Sequence, residues 1–126
     1  MATIGWHLPR DEREQLLARF APVWPDVIAD HVTLEADASA DTALPEARAG
    51  IVVGHANDGE GLQALVVQID GTARRPDGNT YHITWSLDRA RGREARESNA
   101  VLSNRPWDKL DHPVPIDLVP ARLDQD

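Results

Sequence analysis

The chain contains no cysteine among its 126 residues, and only one methionine, one phenylalanine and one tyrosine. Without thiols there are no disulfides, no zinc–thiolate centres, no iron–sulfur clusters and no cysteine nucleophile. Long apolar runs are missing too. Ile51-Val52-Val53 and Ala64-Leu65-Val66-Val67 are far too short to span a bilayer. The opening MATIGWHLPRDER has no basic stretch leading into an apolar one, so no secretory signal is expected and a cytoplasmic location is. A basic surplus is also lacking. With 21 acidic and 13 basic side chains the net charge is −8, which argues against binding a long nucleic-acid duplex through its phosphates.

What remains suits one compact domain over residues 1–126: 41% hydrophobic, 27% charged, and long enough to bury a core without staples. Charge is uneven. Residues 1–60 carry 11 acids and 4 bases, while Arg89, Arg91, Arg93 and Arg96 crowd a short later segment. That segment reads either as a basic lip for a small anion or as a solvated loop.

Pro9 followed by Asp11 and Glu12 starts a helix that runs through Leu16, Leu17 and Phe20, and Pro22 and Pro25 end it. The rest reads mainly as strand: 27–36, 50–56, 62–70 and 80–88, with a last edge strand near 116–123 containing Pro120. A short helical turn is expected near 97–103. Turns at 57–61 and 75–79 join 50–88 into an antiparallel meander. The expected class is α+β: mainly antiparallel sheet with an N-terminal helix.

Two of these strands repeat one small pattern. Residues 31–34 read His-Val-Thr-Leu and residues 82–85 read His-Ile-Thr-Trp. Strand side chains alternate, so His31 and Thr33 share a face, with Glu35, opposite Val32 and Leu34. Likewise His82, Thr84 and Ser86 are expected on one face, lining a groove, with Tyr81, Ile83, Trp85 and Leu87 on the core side. Two imidazoles facing one space can divide acid–base work: one takes a proton from a nucleophile and the other supplies one to a leaving oxygen. Threonine hydroxyls can hold the non-bridging oxygens of a phosphate between them. No metal is needed for that chemistry.

The paired His-x-Thr strands resemble the 2H phosphoesterase superfamily. The stretch from Tyr81 to Leu102, with Ser98-Asn99 after the second motif, looks closest to the cyclic phosphodiesterase domain of fungal-type tRNA ligases. The resemblance covers mostly residues 27–36 and 80–102. It implies two pseudo-symmetric lobes, shortened here, with one histidine motif in each. It also implies His31 and His82 as the catalytic pair, Thr33 and Thr84 as phosphate ligands, and Ser98 and Asn99 as substrate-binding residues. The implied reaction is hydrolysis of a 2′,3′-cyclic phosphate on a nucleotide or RNA end, with no cofactor. The alternative is a module of the same fold that binds a phosphate-bearing ligand without turning it over. Where some branches carry a basic residue soon after the threonine, this chain has Glu35 in one motif and Ser86-Leu87 in the other.

Other chemistries find less support. No His-x-His or His-Glu-x-x-His spacing suggests a metal site, and His7, His55 and His112 read as structural or surface groups. Asn57-Asp58-Gly59-Glu60-Gly61 is more economical as a hairpin turn than as a calcium loop. Trp6, Trp24, Trp85 and Trp107 read as core and corner packing rather than base stacking.

Overall fold

The computed structural model describes residues 2–123. Among the described residues, eight strands and two α-helices follow one another. They are β1 (Ala2–His7), α1 (Arg10–Arg19), β2 (Asp26–Val27), β3 (His31–Ala38), β4 (Ala49–Asn57) and β5 (Leu62–Gln68), then β6 (His82–Leu87), α2 (Ser98–Asn104), β7 (Asp108–Asp117) and β8 (Val119–Leu123). Single 3-10 turns at Arg89–Arg91 and Ala95–Glu97 precede α2. All strand pairings are antiparallel, in a three-stranded sheet of order β3-β1-β8 and a five-stranded sheet of order β2-β6-β5-β4-β7. The fold is therefore α+β, as expected, and the 50–88 meander forms as β4-β5-β6.

The main core is shared between the two sheets and α1. Trp6 and Val32 from the small sheet and Leu16 from α1 meet Leu65, Val67, Ile83 and Trp85 from the large one. Trp6 and Trp85 are fully buried, and each satisfies its indole N–H on a backbone oxygen, of Ala47 and Phe20 respectively. Large aromatics of this kind bury well only when their polar tip is paired. The opposite face of the large sheet is covered by α2 and the turn before it. Leu102 packs on Ala56 and Val66, while Val101 and Ala95 pack on Leu62, Ala64 and Leu87.

Three sequence expectations need correction. The span 27–36 is not one strand. Residues 26–29 pair with β6, and at Ala29, which is buried with φ 45°, the chain turns away so that β3 joins the other sheet. A left-handed residue breaks an extended run, and only side-chain patterning, which does not see φ, had suggested continuity. The terminal 116–123 strand also splits, at buried Leu118, into β7 of the large sheet and β8 of the small one. Pro113 and Pro115 lie within β7, an edge strand whose outer N–H positions need no partner, and Pro120 likewise lies on the edge strand β8. Lastly, residues 2–7 form the central strand of the small sheet, although they read as no element. Ile4 and Trp6, two apart and both buried, were the available signal.

Gly5 lets β1 press against the first histidine motif. A Cβ there would sit 2.1 Å from the Val32 carbonyl oxygen and 3.0 Å from the Thr33 Cα.

Candidate active site

Each sheet carries one His-x-Thr motif, and in both cases the histidine is the first residue of its strand. The motifs are joined by the 26–29 segment. Asp26 and Val27 lie opposite Leu87 and Ser86, Ile28 N–H donates to the Trp85 carbonyl at 2.9 Å, and Ala29 N–H donates to Thr84 O at 3.0 Å. Continued two residues further, this register sets His31 against His82. The chain swerves at Ala29, but β3 and β6 still touch, and the charge of His31 bears on the His82 ring.

The two imidazoles sit in unlike surroundings. His82 is 9% exposed. Its Nδ1 lies 2.7 Å from the Thr80 carbonyl oxygen, which can only accept. Nδ1 therefore holds the proton, and Nε2 is left as the lone-pair nitrogen. Burial pulls its pKa down, the Thr80 bond resists, and the positive charges of Arg75 and His31 push it further, to about 4. The ring is neutral at pH 7. His31 is half-exposed, with Nδ1 3.0 Å from the Asp30 carboxylate, so its Nε2 is the nitrogen turned to other partners.

The hydroxyl residues divide differently. Thr84 is buried and its Oγ1 lies 2.9 Å from Ser98 Oγ and 3.3 Å from the Ala95 carbonyl. Thr84 and Ser98 thus lie together, beneath the Ala95–Glu97 turn and α2 rather than in the open groove expected for Thr84. Asn99 follows on α2, half-buried, with its Oδ1 buried and unpartnered among the described residues. Thr33 lies in the other sheet, half-buried and opposite Gly5.

Ser86 does not share the His82/Thr84 face. The β5–β6 register shifts between Gln63 and Ala64, and Trp85 is the extra residue. One extra residue reverses the alternation beyond it. Ser86 accordingly bonds Gln63 Oε1 at 2.6 Å and the Trp24 amide on the far side, while Leu87 joins Ala95 on the α2 side.

Two further side chains lie near the histidines. His7 stands directly opposite His31 across the β1–β3 pairing and is exposed. Arg75 is 5% exposed and close enough to act on His82. The arginines of 89–96 are largely engaged within the chain. Arg91 pairs with Asp88 and lies over Trp24, Arg93 joins Asp58 and Glu97, and Arg96 joins Glu94. Arg93 also donates to the Glu60 carbonyl, so this segment fastens the 57–61 turn to the cover over Thr84.

Two surface hollows, of about 310 and 410 Å³, lie elsewhere, where α1 meets β7 and along the β4–β7 edge. Among the described residues no group of three or more metal-ligating side chains occurs, and no helix is long and apolar enough to cross a membrane.

Comparison with known proteins adds no relative. No protein-family model, no curated protein and no solved structure matches this chain.

Proposed function

We propose that the protein is a metal-independent phosphoesterase of the two-histidine type, acting on a cyclic phosphate, with 2′,3′-cyclic phosphates on nucleotides or RNA ends as the favoured substrates. The observation that carries this reading is the unequal pair itself. A buried, neutral His82 with its Nε2 lone pair free stands near a half-exposed His31 whose Nδ1 is held by a carboxylate.

The asymmetry suggests the roles. His82 Nε2 takes a proton from water as the water oxygen bonds to phosphorus. The P–O bond to one ribose oxygen breaks, and His31 Nε2 supplies the proton that this oxygen acquires. The product is a phosphomonoester with one free hydroxyl. Further support comes from topology: β3-β1-β8 and β6-β5-β4 are both antiparallel runs of three strands with the histidine-bearing strand at one end. This fits two related lobes, with β2 and β7 as additions to the second.

Thr84 and Ser98 favour a second reading. Their hydroxyls already bond to each other under a protein cover, so a phosphate would have to displace that arrangement to use them. A binding module that holds a phosphate-bearing end without hydrolysing it accommodates this more simply.

Hydrolysis of 2′,3′-cyclic nucleotides and cyclic-phosphate-ended oligoribonucleotides in excess EDTA separates the two. The expected result is turnover in the wild type that is lost in both His31→Ala and His82→Ala. Binding without turnover supports the module, and turnover that survives both substitutions rejects these histidines as the catalytic pair.

A further inference from the structure

We infer that Arg75 and Asp77 form a positioning clamp that fixes the orientation and tautomer of His82 through the Thr80 carbonyl. For its catalytic meaning this rests on the two-histidine reading above, but its structural content does not.

The clamp is built from one turn. Arg75 Nε and Nη2 reach the two carboxylate oxygens of Asp77 at 3.1 and 2.5 Å. The same carboxylate accepts from the Asn79 amide at 2.9 Å and from its side chain at 3.3 Å. Backbone bonds close the turn: Arg75 N–H to Asn79 O at 2.7 Å and Gly78 N–H to Arg75 O at 2.9 Å, with Gly78 at φ 92°, where a side chain would be strained. The backbone of residue 74 pairs with that of Thr80, independently of the Arg74 side chain, and Tyr81 N–H reaches the Ala73 carbonyl. Thr80 O is thereby held where His82 Nδ1 meets it, at 2.7 Å.

Burial separates this pair from an ordinary surface ion pair. The Arg75 side chain is 4% exposed, while that of Asp77 is 44% exposed. An exposed pair at a hairpin tip contributes little, because water screens it and side-chain entropy opposes it. A guanidinium drawn inward and gripped by two parallel bonds has a fixed direction. Its charge then bears on His82 from the turn side, as a protonated His31 would from β3. Asp77 and Asp30 are their respective counter-charges. The clamp thus serves His82 twice: Thr80 O selects the Nδ1–H tautomer, and the guanidinium opposes a second proton at Nε2.

Imidazole ¹⁵N–¹H correlation NMR across a pH titration reads both effects without substrate, on the full chain. Wild type should show His82 as the Nδ1–H tautomer, titrating near 4. Arg75→Gln should raise that midpoint, and Asp77→Asn should admit the Nε2–H tautomer as Thr80 loosens. Arg75→Lys restores the charge but not the two-pronged grip, so it should recover the low midpoint without the single tautomer. Arg74→Gln removes the same charge from the exposed neighbouring position and should leave both readouts unchanged. Folded Arg75→Gln and Asp77→Asn proteins with wild-type tautomer and midpoint would overturn the clamp, as would an equal shift in Arg74→Gln. If the variants respond as stated while wild type hydrolyses no cyclic phosphate, the clamp stands and the proposed reaction falls.

Discussion

Ala29 N–H donates to the carbonyl oxygen of Thr84 at 3.0 Å, two residues from His31 on one side and two from His82 on the other. This rung ties the two sheets together beside both imidazoles. It is held from the helix side as well, since Arg13 Nε of α1 donates to the Ala29 carbonyl at 2.9 Å. The residue making the rung is an alanine at φ 45°, a conformation that costs a non-glycine residue roughly 1–2 kcal/mol. The turn from one sheet to the other is therefore made at some expense in backbone strain.

Ala29→Gly should leave stability within about 1 kcal/mol of wild type. Relief of the left-handed strain is offset by roughly 0.5–1 kcal/mol of added chain entropy and by the loss of a buried methyl. Ala29→Val should lose about 2–4 kcal/mol, because a β-branched side chain fits neither that φ nor a fully buried site. Urea unfolding of the three proteins measures this directly. A valine variant as stable as wild type would mean that the chain does not turn there.

The depressed pKa of His82 makes acid lability start well above the carboxylate range. Folded His82 titrates near 4 and an unfolded histidine near 6.5, so between those values the unfolded chain binds more protons and stability falls as pH falls. The expected loss from pH 7 to pH 4 is about 3 kcal/mol from this residue alone. Asp77, which Arg75 holds down to about 2, loses its contribution only below the unfolded carboxylate value, so the two windows are separable. Urea midpoints at several pH values should slope less in His82→Gln than in wild type. For the proposed reaction, the limb of kcat/KM that reports the general base should lie near 4.

Thr84 and Ser98 offer a double-mutant cycle. Each hydroxyl is buried and paired with the other, so Thr84→Val should cost about 1–2 kcal/mol by stranding Ser98, and Ser98→Ala should cost less, because Thr84 still donates to the Ala95 carbonyl. Once both are gone no orphan remains, and the double variant should cost less than the sum by at least about 0.5 kcal/mol. Strict additivity would show that the two hydroxyls do not interact in solution. In the hydrolysis assay, a loss confined to Thr84→Val with Ser98→Ala active would favour direct contact of Thr84 with phosphate.

Much of the secondary structure was legible because local pattern suffices where both faces of a strand behave regularly. Proline and acids at the start of α1, and the apolar runs of β4, β5 and β6, announced those elements. β7 was hidden because Asp108, Lys109, Asp111 and two prolines look like a loop, and only pairing with β4 at a sheet edge makes them a strand. Ser86 was put on the wrong face because a bulge leaves no fixed mark in a single sequence. Of the candidate site, the two His-x-Thr segments could be drawn from motif spacing, whereas the Thr84–Ser98 hydrogen bond appears only in the fold. His7 and Arg75 could not, since His7 becomes relevant only by strand pairing and Arg75 only by burial.

The sequence by itself determined the residue chemistry: no thiols, an acidic balance, and two His-x-Thr segments. Alternation along each strand also determined that His31 and Thr33 face away from Val32. Only the tertiary structure decided that the motifs lie in different sheets, that Ala29 turns the chain between them, and that His82 is buried and neutral while His31 is half-exposed. Side-chain type and period are local properties carried by each segment. Proton affinity depends on burial and on charges brought close by the fold, as Arg75 and His31 are to His82, and no local pattern encodes those distances.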